Sequence, residues 1–196
     1  MFLGKINNKE VVLVECGIGK VNAARTTQNL IDKFNIEYII NVGVAGGLNE
    51  SLEIGDIVIG KKLVQHDFDI TAAGHPKGYI SKELGREFIS NLDLVNKCEE
   101  IIKKDIKDTN TIIGTIATGD IFCNKVSLKE EVVKEFGADC IEMEGAAIAQ
   151  VCTLCNIPFI AIRSISDKPN GHNEIDFNTY LNMSVKRYQT LIKKLI

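Results

Sequence analysis

The 196-residue sequence contains no apolar run that approaches the roughly 20 residues needed to span a bilayer. Its opening segment, MFLGKINNKE, lacks the apolar core of a secretory signal peptide. It has no stripe of lysine and arginine, and with a net charge of −3 it lacks the electrostatic footprint of a nucleic-acid-binding protein. We therefore expect a cytoplasmic protein that binds neither membranes nor nucleic acids.

Cysteine spacing typical of a disulfide framework is also missing. The six cysteines are scattered along the chain, which in a cytosolic protein indicates reduced thiols. Cys152 and Cys155 form a C-x-x-C pair, but they lie inside a predicted helix and have no second pair. Two small packed apolar residues are therefore the favoured interpretation, ahead of a metal or redox site.

Repeats, low-complexity tracts and Gly/Ser linkers are absent as well, which predicts a single domain over residues 1–196. The composition, 45% hydrophobic and 25% charged, is typical of a globular protein. A chain of this length can bury a sizeable core.

Short apolar runs alternate with helical patterns along the chain. The runs predict buried strands at 10–15, 37–43, 56–60, 111–118, 138–142 and 158–164. The helical patterns lie at about 19–34, 91–104, 127–136, 144–156 and 176–195. The first run forms the second arm of a hairpin, predicted over residues 1–15, that turns at Asn7 and Asn8. This alternation indicates an α/β domain with a largely parallel central sheet, in which ligands bind beyond the carboxyl ends of the strands.

Glycines cluster where two predicted strands end. ECGIGKVNAA, at 15–24, has two glycines and a lysine but not the spacing of a phosphate-binding P-loop. We interpret it as a tight turn that could also lend backbone groups to a pocket. NVGVAGG, at 41–47, places glycines where a ligand could approach the backbone closely, although a turn that serves only packing is the alternative.

Two other junctions carry side chains suited to binding or catalysis. ATGDIFC, at 117–123, contains Phe122, which could stack on a flat heterocycle or belong to the core. IRSISD, at 162–167, ends in Asp167. This carboxyl could stabilise a turn, or it could lie at the lip of a dry pocket with a raised pKa and act as a general acid.

CIEMEGAAIA, at 140–149, places Glu142 and Glu144 between an apolar run and a helix of small residues. Burying a carboxylate is expensive unless it is hydrogen-bonded or neutralised. Either both carboxylates point to water, or one of them binds a ligand.

In this order, the junctions resemble the nucleoside phosphorylase/hydrolase superfamily, and in particular its 5′-methylthioadenosine/S-adenosylhomocysteine nucleosidases. The stretches that carry the resemblance are CGIGKVNAA, NVGVAGGL, GDIVI, HDFDITAAG, TGDIF, IEMEGAAIAQVC and IRSISD, which span roughly residues 10–181. The resemblance implies a nucleoside phosphorylase-like, three-layer αβα fold with a largely parallel or mixed sheet. It also implies hydrolysis of the N-glycosidic bond of adenine nucleosides that bear a 5′-thio group, with no metal or cofactor.

The resemblance further assigns roles in substrate binding. Glu144, where the helix dipole favours an anion, would bind the ribose 2′- and 3′-hydroxyls, and Met143 would pack against the sugar. Phe122 would stack on the purine, with the Cys123 backbone at its edge. Phe177 and the partner subunit's segment around 66–79 would enclose the 5′ group. The full set of substrate-binding residues implied is Glu144, Met143, Phe122, Cys123, Ala45, Gly46 and Phe177.

For catalysis, the resemblance implies that Asp167, oriented by Ser166, protonates the five-membered ring of the purine. Arg163 completes the implied catalytic set. Glu142 is expected to end its strand and to bind no ligand. Phosphorylases of the superfamily carry an arginine in the segment that matches NVGVAGG, whereas this segment has only small, apolar and amide side chains. A hydrolase is therefore the preferred interpretation.

Two departures from the family pattern bear on turnover. The sequence begins after the family's first strand and its GAMxxE-type turn, whose glutamate activates the attacking water. Val44 replaces the serine of the family's TGSAGG segment. If the absent strand is central in the family fold, neighbouring strand edges are expected to be open.

Two other functions remain as alternatives: a catalytically impaired nucleoside-binding or storage-like member of the fold, and a purine nucleoside phosphorylase. The resemblance also predicts a homodimer with the segment from His66 to Tyr79 at or near the interface. His66, Asp67 and Asp69 could suggest a metal site, but in the family the matching residues serve folding and subunit contact.

Overall fold

The computed structural model describes residues 1–168 and 177–196, apart from the side chains at 177–179 and 181. Its strands are β1 (Phe2–Ile6), β2 (Lys9–Leu13), β3 (Ile39–Gly47), β4 (Ile57–Gln65), β5 (Phe88–Ile89), β6 (Thr111–Thr118), β7 (Cys140–Glu142) and β8 (Phe159–Asp167). Its helices are α1 (Lys20–Lys33), α2 (Leu92–Asp105), α3 (Val126–Phe136), α4 (Gly145–Leu154) and α5 (Phe177–Leu195). A single turn of 3₁₀ helix spans Thr71–Ala73.

The hairpin predicted at the start of the sequence is confirmed. Strands β1 and β2 form a separate antiparallel sheet in which Ile6 pairs with Lys9. The two turn residues, Asn7 and Asn8, have φ values of 50° and 67°. Asparagine tolerates this left-handed conformation better than most residues, and two such residues in succession suit the twist of a tight hairpin.

The main sheet has the order β5-β4-β6-β7-β3-β8, and an additional pairing of β4 with β8 closes it into a barrel-like ring. Strand β3 runs parallel to β8, and β4, β6 and β7 run parallel to one another. The two groups meet in antiparallel pairings of β3 with β7 and of β4 with β8. The sheet is therefore mixed, and its parallel groups account for the apolar runs that the sequence shows.

Helices cover two faces of this sheet, which confirms the predicted three-layer αβα arrangement. Helices α1 and α4 pack on each other, and the small side chains of α4 let it lie close to the strands. Helices α2 and α5 pack together against Ile57 and Ile59 of β4 and Ile160 and Ile162 of β8. No helix within residues 1–168 and 177–196 is long and apolar enough to cross a membrane.

The C-x-x-C pair lies at the end of α4, where Cys152 is packed as predicted but Cys155, the residue that caps the helix, is only half-buried. Cys152 is completely buried, and all six cysteines, each among the described residues, are free thiols. Burial raises the pKa of Cys152 to about 12. Because the thiolate is the nucleophile and the metal ligand, this cysteine is chemically inert at neutral pH.

Strand β3 is less buried than the strands β4 and β8. It pairs with β8 from Ile39 to Gly46, but with β7 only at Gly46 and Gly47. Among the described residues, its second edge therefore carries no strand between Ile39 and Ala45. Val44, near the carboxyl end of β3, is 39% exposed.

Candidate active site

The carboxylate of Glu142 lies at the centre of a buried hydrogen-bond network. Glu142 ends β7, as predicted, and is 6% exposed. It accepts hydrogen bonds from the Thr118 hydroxyl, from Glu144 N (3.0 Å) and from Gly145 N (2.8 Å). These two amides open α4, so Glu142 takes the position at the helix N-terminus where an anion is favoured. Glu144 is the N-cap residue of α4, at the helix N-terminus as predicted, but its own side chain does not cap the helix.

Arg163, predicted as a catalytic residue, neutralises that carboxylate. Its Nη2 and Nε atoms lie 2.6 Å and 3.2 Å from Glu142 Oε2, and the residue is 1% exposed. The guanidinium also donates to the side chain of Asn41 and to the Ile162 carbonyl oxygen. Burial lowers the pKa of Arg163, but the Glu142 carboxylate more than offsets this effect and keeps that pKa above its ordinary value. The arginine is thus a fixed charge beneath the site.

The side chain of Glu144 faces a different partner. Its Oε1 accepts a hydrogen bond from the backbone amide of Gly19 at 2.8 Å. Burial raises the pKa of Glu144, and the nearby negative charge of Glu142 adds to this rise, while the Gly19 amide and Arg163 act against it. Oε1 is held by the amide, and the half-buried carboxylate retains acceptor capacity for hydroxyl groups.

Asp167 ends β8 beside the glycines of β3. The Ser166 hydroxyl donates to Asp167 Oδ1 at 2.6 Å and lies 3.3 Å from the Ala45 carbonyl oxygen. Gly46 pairs with Asp167 across a register shift in the ladder. A side-chain carbon at Gly46 would lie 3.3 Å from Asp167 Oδ2, so the glycine leaves this oxygen approachable.

Strand β3 lies between the strand that ends at Asp167 and the strand that leads to Glu144. Gly46 pairs with Asp167 on one side and with Ile141 on the other. Ile141 directly precedes Glu142, and Glu144 follows two residues later. Asp167, predicted as the acid, and Glu144, predicted to bind ribose, therefore follow the two strands that flank the end of β3.

The loop after β6 contributes the predicted aromatic. Phe122 is 69% exposed, whereas the adjacent Cys123 is buried. Burial raises the pKa of Cys123, and the negative charge of Asp167 adds to this rise. Met143 is half-buried beside Glu144. The side chain of Phe177 lies outside the described residues.

Gly19, Thr118 and Asn41 belong to the site but were not predicted as site residues. The glycine-rich stretch at 15–24 did signal a backbone contribution to a pocket, and the Gly19 amide provides one. Thr118 and Asn41 begin the quoted stretches TGDIF and NVGVAGGL, but their partners could not be predicted, because these depend on which strands become neighbours.

Of the three residues that could have suggested a metal site, the two aspartates have other partners, and the histidine lies in the interior. Asp67 binds Lys20 Nζ at 2.7 Å, Asp69 accepts from the Thr71 amide, and His66 is completely buried. Within the described part of the chain, no group of three His, Cys, Asp or Glu side chains is placed to hold a metal ion.

A separate cavity of about 170 Å³ lies beside the hairpin and α1. It is lined by Met1, Val14, Thr26, Asn29, Leu30, Lys33 and Phe34. None of these residues belongs to the groups around Glu144 and Asp167.

Comparison with known proteins assigns the chain to a family. Residues 1–196 match the phosphorylase superfamily. The 5′-methylthioadenosine/S-adenosylhomocysteine nucleosidase of Staphylococcus haemolyticus is 42% identical over 196 residues, which are 100% of this chain and 85% of that relative.

Solved structures show the same likeness. The nucleosidase of Campylobacter jejuni superimposes with a TM-score of 0.92 at 35% identity, over 98% of this chain and 83% of the other. The Neisseria meningitidis enzyme, solved in complex with methylthio-immucillin-A, gives 0.90 at 34% identity over 98% and 83%. The chain therefore belongs to the phosphorylase superfamily and, within it, to the 5′-methylthioadenosine/S-adenosylhomocysteine nucleosidases.

Proposed function

We propose that this protein hydrolyses the N-glycosidic bond of adenine nucleosides with a 5′-thio substituent, such as methylthioadenosine and S-adenosylhomocysteine, and releases adenine. The observation that supports the proposal most strongly is the order of the strands: the end of β3 lies between Asp167, at the end of β8, and the end of β7, which the half-buried Glu144 follows two residues later. The relatives named above are nucleosidases for these substrates.

Cleavage of the bond develops positive charge on the sugar and negative charge on the departing base, as in other glycoside hydrolyses. Protonated Asp167 relieves the charge on the base by general-acid catalysis. Because the Ser166 hydroxyl donates to Oδ1, the acidic proton is carried on Oδ2, the oxygen that faces Gly46. Ser166 thus fixes which oxygen gives up the proton.

The sugar is bound at the other carboxyl. Ionised Glu144 accepts hydrogen bonds from the 2′- and 3′-hydroxyls, and charge-assisted bonds of this kind are stronger than neutral ones. Its negative charge also lies near the sugar as positive charge grows there. Phe122 stacks on the purine, and Met143 packs against the ribose.

Water, rather than phosphate, is the proposed nucleophile. The segment from Asn41 to Gly47 carries no cationic side chain. Arg163 does lie beneath it, but its charge is neutralised by Glu142 at 2.6 Å and is buried. A phosphate dianion needs charged or dense amide donors, and this part of the site offers neither.

The proposal extends to the assembly and the cellular location. We propose a homodimer in which the segment from His66 to Tyr79 lies at or near the interface. The exposed residues 71–76 support this assignment, because they lie in the loop that follows the site strand β4. The six free thiols support a location in the cytoplasm.

Release of adenine from methylthioadenosine, measured with and without phosphate, tests the proposal. Hydrolysis at equal rates in both buffers is the expected result. Strict dependence on phosphate would identify a phosphorylase, and binding without any release of adenine would identify a nucleoside-binding protein.

A further inference from the structure

The start of α1 is joined to two loops that follow other strands. Lys20 Nζ lies 2.7 Å from Asp67 Oδ1, in the loop after β4. Asp67 Oδ2 accepts a hydrogen bond from Asp120 N at 2.9 Å, in the loop after β6. Asp120 Oδ1 in turn accepts one from Lys20 N at 2.8 Å. The three residues therefore form a closed ring of hydrogen bonds.

This ring is attached directly to the proposed ribose-binding carboxylate. Gly19 precedes Lys20, and its amide donates to Glu144 Oε1 at 2.8 Å. Gly19 has φ 92°, and a side-chain carbon there would lie 3.0 Å from Asp120 Oδ1. In this turn the Gly19 amide donates to Glu144 and the Lys20 amide donates to Asp120. Glycine suits the first position because it adopts a positive φ without strain and leaves room for the Asp120 carboxylate.

The ion pair within this ring is partly sheltered from solvent, whereas Asp120 is exposed. The side chains of Lys20 and Asp67 are 19% and 14% exposed. Burial alone would raise the pKa of Asp67, but Lys20 and the Asp120 amide outweigh it and lower that pKa below its ordinary value. An ion pair in this setting is more firmly held than one on an open surface.

We propose that Asp67 is a positioning residue for ribose binding: through Lys20 it fixes the Gly19 amide, and that amide holds the carboxylate of Glu144 in place. The inference rests on the proposed function, because it assigns Asp67 a role through the ribose contact of Glu144. A carboxylate already held in its binding geometry loses less freedom when the sugar hydroxyls arrive.

Asp67→Asn tests the inference, because it removes the charge opposite Lys20 while keeping the size of the side chain. Its matched control is Glu87→Gln, which neutralises the carboxylate of another lysine pair on β4, Lys62 to Glu87 at 3.0 Å, without touching the ring. We measure KM and kcat for methylthioadenosine, Kd for methylthio-immucillin-A, and the thermal unfolding of each variant.

Asp67→Asn is expected to raise KM and Kd about 3- to 10-fold and to change kcat less than about 2-fold, as an indirect loss of one charge-assisted contact. Glu87→Gln is expected to leave all three within about 2-fold, as for an exposed pair. A purely structural role for Asp67 would lower the unfolding temperature and leave KM and Kd unchanged, and this result would overturn the inference.

A double-mutant cycle with Glu144→Gln separates this inference from the proposed function. If Asp67 acts through Glu144, adding Asp67→Asn to Glu144→Gln changes Kd by less than about 2-fold, because interacting sites are not additive. Full additivity would overturn the inference alone. If Glu144→Gln itself leaves Kd unchanged, the proposed ribose contact fails. Should Asp67→Asn not fold, Lys20→Met removes the other partner, and the same Kd shifts are expected.

Discussion

Arg163 and Glu142 form a completely buried ion pair, with Nη2 2.6 Å from Oε2 and both side chains 2% exposed. The pair connects β8 to β7, and Glu142 also accepts hydrogen bonds from the Glu144 and Gly145 amides at the start of α4. One carboxylate therefore fixes two strands and the start of the helix that Glu144, the proposed ribose ligand, directly precedes. Nearly all of its hydrogen-bonding capacity is taken by protein groups, which explains how a charge is tolerated in this core.

Glu142→Gln is expected to destabilise the protein by about 3–5 kcal/mol, because it leaves the buried Arg163 charge without its counter-ion. Unfolding in urea, followed by circular dichroism, measures this difference. Glu87→Gln, in the exposed pair with Lys62, is expected to cost at most about 1 kcal/mol. Equal losses for the two variants would show that burial of the Arg163 pair does not matter.

Glu144→Gln is expected to raise KM for methylthioadenosine about 10-fold or more, because a charge-assisted hydrogen bond to a hydroxyl becomes a neutral one. The effect on kcat is expected to be smaller unless Glu144 also stabilises the sugar cation. A KM within about 2-fold of the unmodified protein would contradict the assignment.

The pH dependence of KM tests the same residue. The ribose contact needs ionised Glu144, and burial raises the pKa of this carboxyl. Binding is therefore complete at pH values above that pKa and is lost as the pH falls through it, beginning above the ordinary glutamate value of about 4.3. In Glu144→Gln the corresponding rise of KM at acidic pH is expected to disappear; a rise that persists would assign it to another group.

Asp167→Asn is expected to lower kcat about 10²- to 10⁴-fold, the usual contribution of a general acid. The amide keeps the shape of the side chain but cannot supply the proton. Asp105→Asn, which changes a surface partner of Lys194, is the matched control and is expected to leave kcat unchanged. Full activity in Asp167→Asn would eliminate this residue as the acid.

Phe122→Ala is expected to weaken binding of adenine nucleosides by about 1–3 kcal/mol, the usual loss when an aromatic ring that stacks on a base is removed. Because Phe122 is 69% exposed, the free energy of unfolding is expected to change little. Phe2→Ala, at 74% exposure on the hairpin, tests for unspecific effects of removing a surface aromatic. Isothermal titration with methylthio-immucillin-A measures the affinity of both variants. Equal affinity for the two would remove Phe122 from the site.

Most elements of the fold could be predicted from the sequence, because β-branched runs and helical periodicity are local properties. The strand predicted at 111–118 and the hairpin at Asn7 and Asn8 are found in the structure. Pairing is not local: the closure of β4 on β8 and the short antiparallel contact of β3 with β7 depend on how the whole sheet twists. The alternation of strands and helices therefore predicted a largely parallel sheet, whereas the sheet is mixed, which the resemblance had included.

The same distinction applies to the site. The motif residues Asp167, Ser166, Ala45 and Gly46 lie together where β8 and β3 end, and their roles in binding and catalysis stay predictions. The partnership of Glu142 with Arg163 could not be predicted, because the two residues are 21 positions apart and meet only across neighbouring strand ends. Arg163 consequently entered the catalytic set by resemblance, and the structure places it beneath the site as a counter-ion.

The most direct test of the central claim is the fate of oxygen during turnover of methylthioadenosine in ¹⁸O-labelled water. Mass spectrometry of the sugar product is expected to show one ¹⁸O atom at C1, incorporated from the attacking water, in the absence of phosphate. A sugar product that carries phosphate at C1, and forms only when phosphate is added, would contradict the account.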